Sequence, residues 1–148
     1  MSACRRQSLI EAPIQVVWEL VGNPERYPEW AGEVIEVTGL ATVEEGATYE
    51  QRTRTPTGKA TTTFVVDDLD EMREIRLRCL TSGYYSHWLL TEARGETFAE
   101  VEIGMDPKHI GYKAYDTIVG RRWYRRLVDN SLSSVSEVAK REAPEREA

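Results

Sequence analysis

The side chains able to do strong proton transfer or bind soft metals are few: two histidines, His87 and His109, and two cysteines, Cys4 and Cys79. They form no Cys-x-x-Cys pair and no His-Glu-x-x-His helix, so no metal site is expected. A phosphate-cradling glycine loop, a dinucleotide fingerprint and a Gly-x-Ser-x-Gly elbow are absent as well, and no cofactor is implied. The acidic run Asp67-Asp68-Leu69-Asp70-Glu71 lacks the glycine and spacing of a calcium loop and reads as a hairpin turn. What remains is a set of side chains suited to lining a cavity. Tyr49 and Gln51 share one face of a strand, Ser86 and Trp88 share one face of another, and Cys79 and Met105 sit at strand ends. Thr117, Gly120 and Tyr124 come from a helix. A mostly apolar concavity with a few converging polar groups is the usual form of a small-molecule site. There a Tyr or Gln can orient a ligand carbonyl or hydroxyl through a hydrogen bond worth about 1 kcal/mol. The same groups could instead satisfy one another in a filled core. For proton transfer the candidates are Tyr49, Ser86 and His87, the last only if its strand turns it inward. Cys79 as a nucleophile would need a base beside it, and its alternating strand favours a small buried thiol.

The element that must position these groups is a helix from Tyr112 to Glu142, roughly 30 residues and about 45 Å long. Trp123, Tyr124, Leu127, Val128, Leu132, Val135, Val138 and Ala139 fall on one side of it, and Arg121, Arg122, Arg125 and Arg126 gather toward the other. The apolar stripe is clean from Trp123 onward and fails before it, where the same face meets Gly120, Thr117 and Lys113. A glycine inside a helix costs about 1 kcal/mol relative to alanine. Either the backbone approaches its neighbours closely at Gly120, or room is left there for a guest.

Residues 3 to 10 form a first strand. Pro13 opens an amphipathic helix carrying Ile14, Val17, Trp18 and Val21, which Gly22 ends. Asn23-Pro24 caps a second short helical turn. Six strands follow: around Val34–Val37, Ala47 to Arg54, Lys59 to Asp67, Ile75 to Cys79, Tyr84 to Ala93 and Phe98 to Met105. A two-residue turn at Gly95 would pair Val101 with Leu90 and Ile103 with Trp88. Ser86, Trp88 and Leu90 then face the helix, and Tyr85, His87 and Leu89 face outward; a turn one residue longer reverses this. The first strand can pair with the last. The fold class is therefore α+β: a curved seven-stranded antiparallel sheet around a long C-terminal helix, with two short helices between strands 1 and 2. The loop Asp106 to Gly111 before the long helix reads as a lip over one end of the enclosed space.

The opening Ser8-Leu9-Ile10-Glu11-Ala12-Pro13, then Val16-Val17-Trp18-Glu19-Leu20, then Asn23-Pro24-Glu25-Arg26-Tyr27-Pro28-Glu29-Trp30, resembles that of the START-like (SRPBCC, or Bet v 1-like) superfamily. The nearest likeness is to small bacterial proteins of the polyketide cyclase/dehydrase and lipid-transport-like type. Gly95-Glu96-Thr97 is similar to that family's glycine-threonine step, with a glutamate interposed. The resemblance spans nearly the whole chain and implies a helix-grip fold with a deep pocket between sheet and helix. Its motifs are structural, and no catalytic set carries over.

At 148 residues, with 41 % hydrophobic and 30 % charged residues, the chain fits one domain, residues 1–143, followed by a small charged tail, 144–148, expected to fray. Its net charge of −6 opposes general binding to nucleic acid or anionic membranes, the helix arginines being the local exception. Met1 to Arg6 has no apolar run, so neither a leader nor a membrane span is expected, and reduced thiols in the cytoplasm are the default reading. The first functional expectation is a receptor for a small, mostly hydrophobic molecule such as a lipid or polyketide, as a monomer or homodimer. The alternatives are an aromatic polyketide cyclase/dehydratase and a protein-interaction module that uses the helix arginines.

Overall fold

The computed structural model describes residues 2–107 and 110–147. The strands are β1 (Ser2–Ile10), β2 (Val34–Thr38), β3 (Thr48–Thr55), β4 (Gly58–Asp70), β5 (Glu74–Cys79), β6 (Tyr84–Ala93) and β7 (Glu96–Met105). They form one curved antiparallel sheet in the order β1-β7-β6-β5-β4-β3-β2. As expected, β1 closes against β7, with Cys4 opposite Ile103 and Leu9 opposite Phe98. Between β1 and β2 lie α1 (Ile14–Val21), a single tight turn (Pro24–Arg26) and α2 (Tyr27–Trp30).

The two short helices owe their placement to side chains that satisfy the carbonyls α1 leaves unpaired at its C-terminus. Tyr27 Oη donates to Val21 O at 2.6 Å, and Trp30 Nε1 donates to Leu20 O at 3.0 Å. Trp30 then meets Trp88 of β6 edge-on, 5.7 Å between ring centroids at 89°. Gly22 ends α1 with φ −84°, outside the left-handed region, so backbone freedom does not explain it. The Trp18 ring does: a Cβ on Gly22 would lie 2.4 Å from it.

At the end of β6, Arg94 and Gly95 form the two-residue loop, both with positive φ, and Ala93 pairs with Glu96. Val101 is therefore opposite Trp88 and Ile103 opposite Ser86, two residues away from the pairing the sequence suggests. A shift of two preserves the parity, so Trp88 and Leu90 are buried on the concave face and His87 stands on the convex one.

The C-terminal helical segment is longer than expected and is not one regular helix. It comprises α3 (Ile110–Tyr115), a π turn (Asp116–Gly120) and α4 (Arg121–Glu147), with helical geometry continuing through Pro144. Leu127, Val128, Leu132, Val135 and Ala139 of α4 seal the concave face together with α1. Arg26 ties this end shut, donating to Glu29 and, at 2.7 Å, to Glu142. The room expected near Gly120 is filled. The ring of Tyr124 folds back over this glycine, where a Cβ would lie 2.8 Å from it, and Tyr124 Oη donates to Asp116 Oδ1 at 3.0 Å. Tyr124 is fully buried and has little room to retreat. Gly120→Ala, ordinarily favourable in a helix, should therefore destabilise the fold by about 1–3 kcal/mol through overpacking. Thermal denaturation would show a drop of about 3–10 °C, and an unchanged midpoint would mean the ring does not depend on that glycine.

Candidate functional site

α1 and α2 fill the bowl beneath the C-terminal half of α4, and the opposite end stays open. There the β3–β4 hairpin reaches past the helix, and a pocket of about 240 Å³ lies between them. That is near the lower end of the ~300–1,000 Å³ usual for small-molecule sites. The hairpin contributes Thr53, Thr55, Thr57, Ala60, Thr62 and Phe64, and the strand ends contribute Cys79, Ser82, Tyr84 and Met105. Tyr112, Tyr115 and Trp123 form the helical wall. The aromatic rings interlock: Tyr84 lies 5.6 Å from Trp123 and 6.1 Å from Phe64, and Trp123 lies 6.4 Å from Tyr115. α3 packs chiefly on the π turn rather than on the strands, so this wall is the least anchored part of the site. The Tyr115 hydroxyl is buried in it with no hydrogen-bond partner among the described residues, and burial raises its pKa above the ordinary 10.0.

Deeper in, a chamber of about 20 Å³, enough for about one water, is bordered by Tyr27, Trp30, Glu33, Gln51, Ser86, Trp88 and Ser131. Phe64 and Tyr84 border both spaces and so form the partition between them. Glu33, half-buried in the turn before β2, is the carboxyl among the described residues that line the chamber. Burial pushes its carboxyl above the ordinary 4.5, only partly offset by a hydrogen bond from its own backbone. Tyr84 is held well above 10.0, first by burial and then by the neighbouring Glu33.

The expected site residues divide among these spaces. Cys79 and Met105 line the outer pocket. Gln51, Ser86 and Trp88 line the inner chamber, where Gln51 Nε2 also donates to Thr53 Oγ1 at 2.9 Å. Tyr49 stacks on Phe64 at 5.7 Å, with its hydroxyl buried and unpartnered, and faces neither cavity directly. Tyr124 and Gly120 plug each other. Thr117 is exposed and bonds back to Lys113 O. His87, a candidate base only if turned inward, is on the convex face with Nε2 2.6 Å from Glu74 Oε2, and so cannot reach either cavity. Lys108 and His109, in the expected lip, lie outside the described residues.

Sequence reasoning missed the helical wall, the threonines and Glu33. The π turn explains the first. It inserts one residue, which turns everything upstream by about 100° relative to a continuous α-helix. Tyr112 and Tyr115 thereby replace Lys113 and Thr117 on the inner face. Thr53 and Thr55 alternate inward along β3 and Thr57 follows in the turn, a pattern that sequence shows only as strand propensity. Glu33 sits in a turn, where a charged residue is ordinarily solvated, and no sequence signal sets it apart.

Comparison with curated proteins finds no match. Among solved structures, the Zhui aromatase/cyclase from Streptomyces superposes with a TM-score of 0.73 at 15 % identity, over 95 % of this chain and 94 % of that one. Protein TTHA0849 from Thermus thermophilus gives 0.73 at 14 % identity, over 96 % and 99 %. The di-domain aromatase/cyclase StfQ of the steffimycin biosynthetic pathway gives 0.65 at 20 % identity; this chain is covered over 97 % of its length, StfQ over 51 %. At these identities the likeness is one of fold. Residues 2–140 match the model of the family described as "Polyketide cyclase / dehydrase and lipid transport", and this chain belongs to that family.

Proposed function

We propose that the protein binds a small, largely apolar molecule in the outer pocket. The observation that carries this reading is the aromatic- and threonine-lined space of about 240 Å³ at the open end of the grip, between the β3–β4 hairpin and a weakly anchored helix. Aromatic rings offer broad apolar contact, and the threonine hydroxyls are placed to accept or donate at the rim. A shift of α3 would present the Tyr115 hydroxyl to a carbonyl or hydroxyl of the guest. The free thiols Cys4 and Cys79, on strands separated by β7 and β6, fit a cytoplasmic setting.

Glu33 favours a second reading, an enzyme of the aromatase/cyclase kind. A carboxyl that keeps its proton above the usual range can donate it to a ligand carbonyl, and as the carboxylate it can take a proton from the adjacent carbon. Such a ligand would have to pass the partition, so catalysis would require Tyr84 and Phe64 to move.

Trp123 supplies an internal reporter for the first reading. Titration with a naphthol should quench its fluorescence saturably. Thr62→Phe, which fills the pocket from the β4 wall, should weaken binding about tenfold or more with folding retained. Unaltered affinity in that variant would place the ligand elsewhere.

Tyr115→Phe should weaken binding of the naphthol by about fivefold, one hydrogen bond, while leaving stability equal or higher because an unpaired buried hydroxyl is removed. A fall in stability with unaltered binding would make the hydroxyl structural.

The raised pKa of Glu33 also sets a pH dependence. Between the ordinary 4.5 and its raised folded value, the folded state holds a proton that the unfolded chain has released. Glu33 therefore costs nothing below that window and lowers stability as pH rises through it. Glu33→Gln should remove the slope, so the stability gap between variant and parent widens with pH from about 4.5 upward. Denaturant titrations across pH would show this, and parallel curves would mean Glu33 is solvated. If the enzyme reading holds, the same variant binds ligand and loses turnover.

A further inference from the structure

On the outer side of the π turn, away from the pocket, stands an apolar side chain. Ile118 is 81 % exposed, the most exposed of the large hydrophobic residues described. On the same helical face, at spacings of three, four, seven and eight residues, stand Arg121, Arg122, Arg125 and Arg126, all exposed. None of the four forms an ion pair with a described carboxylate. The two carboxylates nearest in sequence are otherwise engaged: Asp116 is buried and accepts from Tyr124, and Asp129, one turn onward, faces Arg6 at 3.8 Å. The same stretch of helix carries the pocket's outer wall, since the exposed Tyr112 belongs to the pocket lining.

We propose that this face docks the protein peripherally on an anionic lipid surface, with Ile118 entering the interface, the arginines meeting phosphate, and the pocket mouth held against the bilayer. Four guanidinium groups with no carboxylate partner among the described residues, around one apolar knob, match an anionic counter-surface with an apolar interior. Tyrosine and tryptophan at the rim are the residue types that sit comfortably at that boundary. The overall charge of −6 does not forbid it, because at physiological salt charges more than about 8 Å away are largely screened and the local cluster sets the field. The proposal concerns attachment alone and stands whether or not the pocket is loaded.

The test is sedimentation of the full chain with vesicles of phosphatidylcholine alone and of phosphatidylcholine mixed with phosphatidylglycerol. Binding is expected only to the mixed vesicles, with loss at high salt. The double variant Arg122→Glu/Arg126→Glu should weaken it more than about 20-fold, two surface arginines' worth. Ile118→Asp should weaken it too, and both variants should keep their circular dichroism and naphthol binding because all three positions are exposed. No binding to mixed vesicles, equal binding to both kinds, or wild-type binding by the double variant would overturn the proposal. Binding to soluble polyglutamate in preference to the mixed vesicles would also overturn it, and would assign the face to an acidic protein instead.

Discussion

The arrangement of the open end depends on one hydrogen-bonded ring. Tyr124, fully buried in the helix that crosses the sheet, cannot point its hydroxyl into the apolar core without a partner, since an unpaired buried hydroxyl costs about 1–3 kcal/mol. It lies back along its own helix instead, over Gly120, and finds Asp116. That contact spans the π turn. The extra residue changes the phase of all that precedes it, and Tyr112 and Tyr115 come inward to wall the pocket. A continuous α-helix with the same sequence would put Lys113 and Thr117 over the sheet and turn Tyr115 away from the pocket.

The closed end is built on a different economy of polar groups. Carbonyls exposed at the end of α1 are capped by Tyr27 and Trp30, which also fill the core, and Thr97 donates to Ala12 O at 2.8 Å from a fully buried position. These bonds satisfy three backbone carbonyls in a buried segment rich in turns. The same thoroughness does not extend across the sheet. The hydroxyls of Tyr49 and Tyr115 are buried with no partners among the described residues, and both belong to rings in the aromatic cluster around the pocket: Tyr49 stacks on Phe64, and Tyr115 packs on Trp123. Buried polar atoms of this kind are uncommon and gather where a protein is shaped for something other than stability.

Much of this was legible from residue order. Alternation along β5 and β7, the turn residues between strands and the proline-led short helices were enough for sheet order and topology, because each is a local rule with little competition. The β6–β7 pairing illustrates the limit. Centring the loop one residue late displaces every partner by two, yet the buried face survives, because side chains repeat every two residues. The site was less legible. Cys79 and Met105 reach the pocket because parity alone places them there. The helical residues do not, because a phase change inside a helix leaves only an indirect trace. That trace was present: the apolar stripe that runs clean from Trp123 breaks at Gly120, Thr117 and Lys113, as an inserted residue would make it.

Why two spaces rather than one follows from size and packing. Trp30, Trp88 and Tyr84 are large enough to fill the middle of the bowl, and together with Phe64 they leave behind them a chamber of only about 20 Å³. A carboxyl facing so small a space is shielded from bulk water, which is why Glu33 holds its proton more firmly than a surface glutamate. The outer pocket, by contrast, is apolar and carries no such group. Among the described residues the outer pocket therefore offers rings, threonines and a thiol but no carboxyl, and Glu33 lies on the far side of Tyr84. The two spaces are thus divided by one buried tyrosine and its phenylalanine neighbour, and the proposed receptor and the proposed catalyst differ in whether that pair must move.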